Sequence, residues 1–165
     1  MENGSMYSPI ALFLTEAAHY RCLLLVHVEM CVLQKAASEL EAKYGWPRLS
    51  IGKQLSAVLL SEPPSHRPRA AQRWMEDCLG QMAPGPVLCT EMDLLFDPPL
   101  KLDPLVLLRS TSKVTKIVVT WPGSYVGGVL VYAVPGHAHY RTFRQPEVLV
   151  LALDQSPGGS VHALS

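Results

Sequence analysis

Three short stretches hold the side chains best suited to chemistry. The first is His27-Val28-Glu29-Met30-Cys31-Val32-Leu33-Gln34, directly after an apolar run. A phosphate-binding loop, G-x-x-x-x-G-K-[ST], would fall here. It needs glycines for close backbone approach, and Lys and Ser/Thr for phosphate and magnesium. In register the four key positions hold His27, Val32, Leu33 and Gln34, and none matches. Shifting the register onto Lys35 puts Glu29 and Gln34 at the glycine positions, where a side chain blocks the backbone N–H cradle. The plain reading is a buried strand running into a helix. The second stretch, Thr90-Glu91-Met92-Asp93, offers acids where a magnesium-dependent NTPase holds its metal-bound water. Acids at a strand end or helix start are also ordinary, because the helix dipole favours them there. In the third, Thr120 of Thr120-Trp121-Pro122-Gly123 stands where many P-loop ATPases keep a polar sensor, although Thr is also a good strand residue. Trp121 is read as a loop residue, either a core lid or a contact.

Weaker candidates complete the search. His137 and His139 offer two metal nitrogens, but no Cys or third His lies near in sequence, and a zinc site needs three or four ligands. His66-Arg67-Pro68-Arg69 with Arg73 is a small basic patch without interleaved aromatics, the pattern of a solvated helix start. Arg141 and Arg144 flank Phe143 and suit a phosphate or an acidic partner. No G-x-S-x-G elbow occurs, so a serine-hydrolase triad has no motif. Cys22, Cys31, Cys78 and Cys89 form no C-x-x-C pair, which removes zinc and thioredoxin-type readings. Each has apolar neighbours, so all four read as buried free thiols in a reducing compartment.

These stretches must be positioned by an alternating series of elements. Cys22 to Val26 is a continuous apolar run, which suits a strand covered on both faces of a parallel sheet. Met30, Leu33, Ala37, Leu40 and Tyr44 then share one helix face, with Glu39 and Lys43 paired on the other side and Gly45 as the stop. Leu49–Ile51 reads as a strand and 53–60 as a helix. A further helix opens at Pro68, with Ala71, Trp74, Met75, Cys78 and Met82 on one face. Val87–Thr90 is a third strand. Asp103-Pro104 reads as an N-cap and first turn for a helix over 105–109. Strands follow over 114–120, 129–134 and 148–153. Strands alternating with helices predict an α/β fold with a mostly parallel central sheet. The chain divides into one domain over 1–153 and a small, polar, flexible tail over 154–165.

Composition bounds the function. The chain has 165 residues, 48% of them hydrophobic and 17% charged, which excludes general disorder. Fourteen basic residues balance 14 acidic ones, so a broad electrostatic grip on nucleic acid is not indicated. Zero net charge with positive mean hydropathy suits a protein with a protein partner better than a lone monomer. The N-terminus has no basic leader region, and the apolar stretch Ile10–Leu14 is short for a signal sequence. No run is long enough to span a membrane. A soluble cytoplasmic chain is expected, with no membrane contact.

The blocks Leu94-Leu95-Phe96-Asp97-Pro98-Pro99-Leu100-Lys101-Leu102-Asp103-Pro104-Leu105-Val106-Leu107-Leu108 and Val118-Val119-Thr120-Trp121-Pro122-Gly123 carry a resemblance, together with Leu130–His137 and Tyr140-Arg141. In order and spacing they resemble the BrxF family, the small P-loop-containing proteins of type III bacteriophage-exclusion (BREX) systems. The resemblance runs to about residue 153. It implies a P-loop NTPase-like three-layer sandwich and a place in anti-phage defence, beside a larger ATPase, a methyltransferase and a phosphatase-like protein. Family members usually carry an intact glycine-rich loop and tend to have Asp where Thr90 stands. Both ends of a nucleotide site are therefore altered here. The first expectation is a P-loop-like subunit of the defence complex with little or no hydrolysis of its own, bound to other BREX proteins and above all to the large ATPase. The second is an ATPase using ATP and magnesium, with Glu91 or Asp93 handling metal and water, Thr120 as sensor and Arg141 as finger. The third is a nucleic-acid-binding module contacting DNA through Arg67, Arg69, Arg73, Arg141 and Arg144.

Overall fold

The computed structural model describes residues 4–15, 20–133, 140–153 and 162–164. Five strands run parallel: β1 (Cys22–His27), β2 (Arg48–Ser50), β3 (Val87–Thr90), β4 (Ile117–Val126) and β7 (Leu149–Ala152). Their order across the sheet is β2-β3-β4-β1-β7. β1 is therefore interior and covered on both faces, which is why its six residues are all buried and its sequence shows no alternation. The α/β fold with a mostly parallel sheet, as the alternating elements predict, is what the chain adopts.

Right-handed crossovers decide which helix lies on which face. The step from β1 to β2 crosses the sheet one way and carries α2 (Met30–Tyr44). The steps from β2 through β3 to β4 return the other way. They carry α3 (Ile51–Leu60), α4 (Arg67–Gln81) and α5 (Pro104–Ser112), which must lie on the opposite face. The two cores divide accordingly. Leu23, Leu25, Leu88 and Val118 pack against Leu33, Ala37 and Leu40 of α2 and against Ile10 and Phe13 of α1 (Gly4–Phe13). Leu24, Val26, Cys89 and Val119 pack against Leu55, Met75 and Leu108 on the other side. A three-layer sandwich results.

Local signals explain most boundaries. Gly45 closes α2 in the left-handed region at φ 70°, and its N–H donates to the Glu41 carbonyl. Asp103 caps α5, its Oδ1 accepting from the N–H groups of Leu105 and Val106. The strand expected at 114–120 instead begins at Ile117, because Val114 and Thr115 turn back onto the Thr111 carbonyl and Val114 is exposed. At its other end β4 continues past Trp121, so Trp121 is a strand residue, not a loop residue. It runs into an antiparallel hairpin with β5 (Val129–Tyr132). Gly127 and Gly128, both at positive φ, make the two-residue turn that suits a right-twisted hairpin. β6 (Arg141–Arg144), for which the sequence carries no clear strand signal, pairs with β5. In the tail, residues 154–161 and 165 lie outside the described residues, whereas β8 (His162–Leu164) pairs antiparallel with β7.

The cysteines separate. Cys22 and Cys89 are buried as expected, but Cys78 is half-buried and Cys31, on the outer side of α2, is exposed. Burial pushes the Cys89 thiol up to about 12, and burial together with nearby Cys89 pushes Cys22 up as well. A thiol held protonated is a poor nucleophile. At pH 8 a disulfide-exchange reagent is expected to modify Cys31 first and Cys78 later, leaving Cys22 and Cys89 untouched until denaturant is added. Rapid modification of Cys89 in the native protein, read by mass spectrometry, would contradict this packing.

Candidate functional site

In open parallel sheets ligands bind beyond the carboxyl ends of the strands, where neighbouring connections leave on opposite faces. That point here lies around β1, β4 and β3, because α2 follows β1 on one face and the segment after β3 enters the other. A cavity of about 380 Å³ occupies it. Val28 and Met30 line it from the β1–α2 connection, and Glu91, Met92 and Asp93 from the end of β3. Thr120, Pro122 and Gly123 of β4 form the floor, with Tyr132 and Ala133 from the end of β5. The stretches singled out by residue chemistry thus converge, although they are far apart in sequence.

The acids are held by backbone geometry. Glu91 sits in the left-handed region at φ 56°, and its carbonyl accepts a 2.8 Å hydrogen bond from the N–H of Gly52. A Cβ at Gly52 would lie 2.9 Å from that carbonyl oxygen, so the approach needs glycine. Asp93 follows in a 3₁₀ turn over Met92–Phe96. Its Oδ1 accepts a 2.6 Å hydrogen bond from the Tyr132 hydroxyl. Burial, then this bond and the Asp93 charge, push the Tyr132 phenol well above its ordinary value, so the hydroxyl stays protonated and donating. Tyr132 is itself fixed by Phe96, which stacks on it at 3.5 Å between ring centroids, and by Trp121, which meets it edge-on at 5.4 Å.

Under the cavity floor runs a row of hydroxyls. Ser50 pairs with Thr90 across β2 and β3. The β3–β4 register, with Cys89 opposite Val119, sets Thr90 beside Thr120. Alternation puts all three on the face that carries α2. The buried oxygens of Ser50 and Thr90 have no hydrogen-bond partner among the described residues. Buried polar groups without partners are uncommon and mark a place for water or ligand.

The positions of a phosphate loop are arranged differently. β1 ends at His27 and α2 begins at Met30, so only Val28 and Glu29 connect them. His27 is buried, and its Nδ1 accepts a 2.9 Å hydrogen bond from the Glu29 N–H, which ties the strand end to the helix start. Val32, Leu33 and Gln34 lie in the first turns of α2. Leu33 is 1% exposed and belongs to the core, Val32 is half-buried and Gln34 faces outward. None of the four lines the cavity, and together they form no loop. The reason is length: a cradle must wrap around a phosphate, and two residues without glycine cannot.

Arg141 also stands elsewhere. It lies on β6, where its Nη1 donates to the Leu102 carbonyl at 3.1 Å and its guanidinium rests 5.4 Å from the Phe96 ring centroid. Arg67 spends its Nε on the carbonyls of Leu59 and Glu62. Arg69 and Arg73 line a groove on α4 that also holds Trp74, but Glu62 and Asp77 line it too, so its charge balances. The basic residues are split between α4 and β6. His137 and His139 lie outside the described residues. Among the described residues no group of three His, Cys, Asp or Glu side chains is placed to hold a metal ion, and no helix is long and apolar enough to cross a membrane.

Tyr132, Val28 and Met30 escaped sequence reading. The signal for Tyr132 was available, since Gly127-Gly128 between two apolar runs marks a hairpin that must return beside Thr120. No known protein family, curated protein or solved structure matches the chain.

Proposed function

We propose that the chain is a P-loop-like subunit of a type III BREX defence complex with no nucleotide hydrolysis of its own, acting in the cytoplasm beside the large ATPase. The resemblance of residues 94–108, 118–123, 130–137 and 140–141 to the BrxF family motivates the assignment to that system. The sheet order supports the P-loop-like part, because that reading needs the ends of the first, third and fourth strands to adjoin, and β4 lies between β3 and β1. The observation that carries the loss of nucleotide chemistry is the two-residue connection Val28–Glu29. It offers no cradle of backbone N–H groups, and it puts a carboxylate at the N-terminus of α2, where a phosphate would otherwise sit. Thr90 and Thr120, in place of an acid and beside it, leave Glu91 and Asp93 for a metal among the described lining residues, none of which is a lysine or arginine that could balance a triphosphate.

Calorimetric titration with ATP and magnesium is expected to give no saturable heat at millimolar nucleotide. Mixing the chain with the large BREX ATPase is expected to give a complex that survives size-exclusion chromatography. Saturable ATP binding would sink the non-nucleotide part of the proposal. A chain that stays alone with every BREX protein would sink the defence part.

A further inference from the structure

A second concavity shares no lining residue with the crevice at the ends of β1, β3 and β4. It is an open groove of about 690 Å³ between the end of α3 and the outer side of α4. Val58 and Glu62 line it from α3 and the turn after it, and Arg69, Arg73, Trp74 and Asp77 from α4. α4 buries Ala71, Met75 and Leu79 in the core. Steps of three and four residues put Ala70, Arg73, Asp77 and Gly80 together on the opposite stripe. Arg73, Asp77 and Gly80 are exposed. Among the described residues neither Arg73 nor Asp77 makes an ion pair or a side-chain hydrogen bond, although they stand one turn apart. Trp74, half-buried beside them, meets no other aromatic ring. Gly80 is helical without a positive φ, and no atom lies within 4 Å of the place a Cβ would take. Glycine weakens a helix relative to alanine, and it is used where another backbone comes close. Nothing inside the chain comes close to Gly80.

We infer that α4 pairs with the α4 of a second copy of this chain, antiparallel, about a two-fold axis level with Met75. Such a contact uses the same patch on both copies. It sets Arg73 against the partner's Asp77, and Asp77 against the partner's Arg73. It also sets Ala70 against the partner's Gly80 at each end, where small residues let the two helices approach. Trp74 lies one residue from the axis, so the two indoles meet on the same edge of the contact and leave water together. The order of charge selects this occupant. Along the stripe a positive residue precedes a negative one, so an antiparallel copy is complementary and a parallel copy sets like charges together. The net charge of zero leaves no overall repulsion between copies. This goes beyond the proposed function, because the pairing needs the chain alone and no BREX protein.

Sedimentation velocity of the full chain across the micromolar range is the test, and a reversible monomer–dimer equilibrium is expected. Arg73→Asp and Asp77→Arg should each weaken dimerisation about tenfold or more, because each sets like charges face to face at two places. An equimolar mixture of these two variants should recover the dimer, since the mixed pair has opposite charges at both places. Gly80→Leu should weaken dimerisation as much by holding the helices apart. Its unfolding temperature should be no lower than native, because the space over Gly80 is open and leucine is the better helix former. That variant keeps the test independent of any effect of the charge changes on folding. A native chain that is monomeric throughout overturns the inference, including one that instead binds the large BREX ATPase through Arg73. A dimer that all three variants leave unchanged lies on another surface and also overturns it. So does a mixture of the two charge variants that stays monomeric.

Discussion

Leu33→Lys, the substitution that restores the phosphate lysine at its motif position, is expected to unfold the domain instead of creating a nucleotide site. Leu33 is 1% exposed and packs in the α2 core with Leu23, Leu25 and Val118. Removing the leucine side chain alone costs about 2–5 kcal/mol. The lysine adds a charge with no acceptor in an apolar layer. It is forced neutral, and from an ordinary value near 10.4 this costs about 4–5 kcal/mol at pH 7. The sum is comparable to the whole stability of a typical domain, about 5–15 kcal/mol. A fall in Tm of roughly 12–40 °C, or loss of the cooperative transition, should follow in circular dichroism. The pH dependence has a definite sign. The folded state holds the lysine neutral while the unfolded state binds its proton, so the defect shrinks as pH rises towards 10. Gln34→Thr, one residue on and solvent-facing, should leave Tm nearly unchanged. A Leu33→Lys variant with native Tm would mean that residues 27–34 form a loop, and the case against a phosphate cradle would fall with it.

The same residue shows how far the sequence could be read. Leu33 sits in a 3.6-residue apolar pattern with Ala37 and Leu40, and periodicity correctly placed it on the buried face of a helix. The motif alignment placed it at a ligand position, and the two readings compete. Packing wins because α2 must cover β1 and β4, and its second turn is where it first meets the sheet. Helices with caps, such as Gly45 and Asp103, were legible because the caps are local. The extent of β4 was not. β-branched Val114 and Thr115 score as strand, yet the chain needs them to turn from α5 into the sheet, where Thr115 Oγ1 donates to the Leu79 carbonyl at 2.6 Å. α1 was missed because Pro9 and a short apolar run resemble a loop, and its helix is docked through Ile10 and Phe13 in the second core. Of the site, the acids at 91 and 93 and the Thr120 hydroxyl were legible as strand-end residues. Arg141 lies away from the crevice because its strand pairs with β5, which carries it to Leu102 and Phe96. Pairing partners distant in sequence decide such positions, and no local pattern encodes them.

Trp121→Ala is expected to be the most damaging change outside the α2 core, and its effect should reach the crevice. Trp121 is fully buried, and its Nε1 donates a 3.0 Å hydrogen bond to the Val131 carbonyl across the β4–β5 hairpin. The same hairpin comes so close at Gly123 that a Cβ there would overlap that carbonyl, so neighbouring backbone cannot slide in to fill a void. Truncation of a buried tryptophan costs about 3–5 kcal/mol, and a site that cannot collapse lies at the upper end. The ring also meets Phe96, Tyr132 and Phe143 edge-on. Without it the Phe96–Tyr132 stack loses a wall, and the Tyr132 hydroxyl loses the support that holds it on Asp93. Trp121→Phe separates the two contributions. It keeps most of the apolar contact and removes the donor, so its cost should be about 1–3 kcal/mol, that of a buried carbonyl left unpaired. Urea denaturation followed by circular dichroism gives both values, with the midpoint lowered more by Ala than by Phe. Equal losses in the two variants would assign the effect to the Val131 hydrogen bond. Small losses in both would mean that the hairpin is held from elsewhere and that the floor of the crevice is not built on this ring.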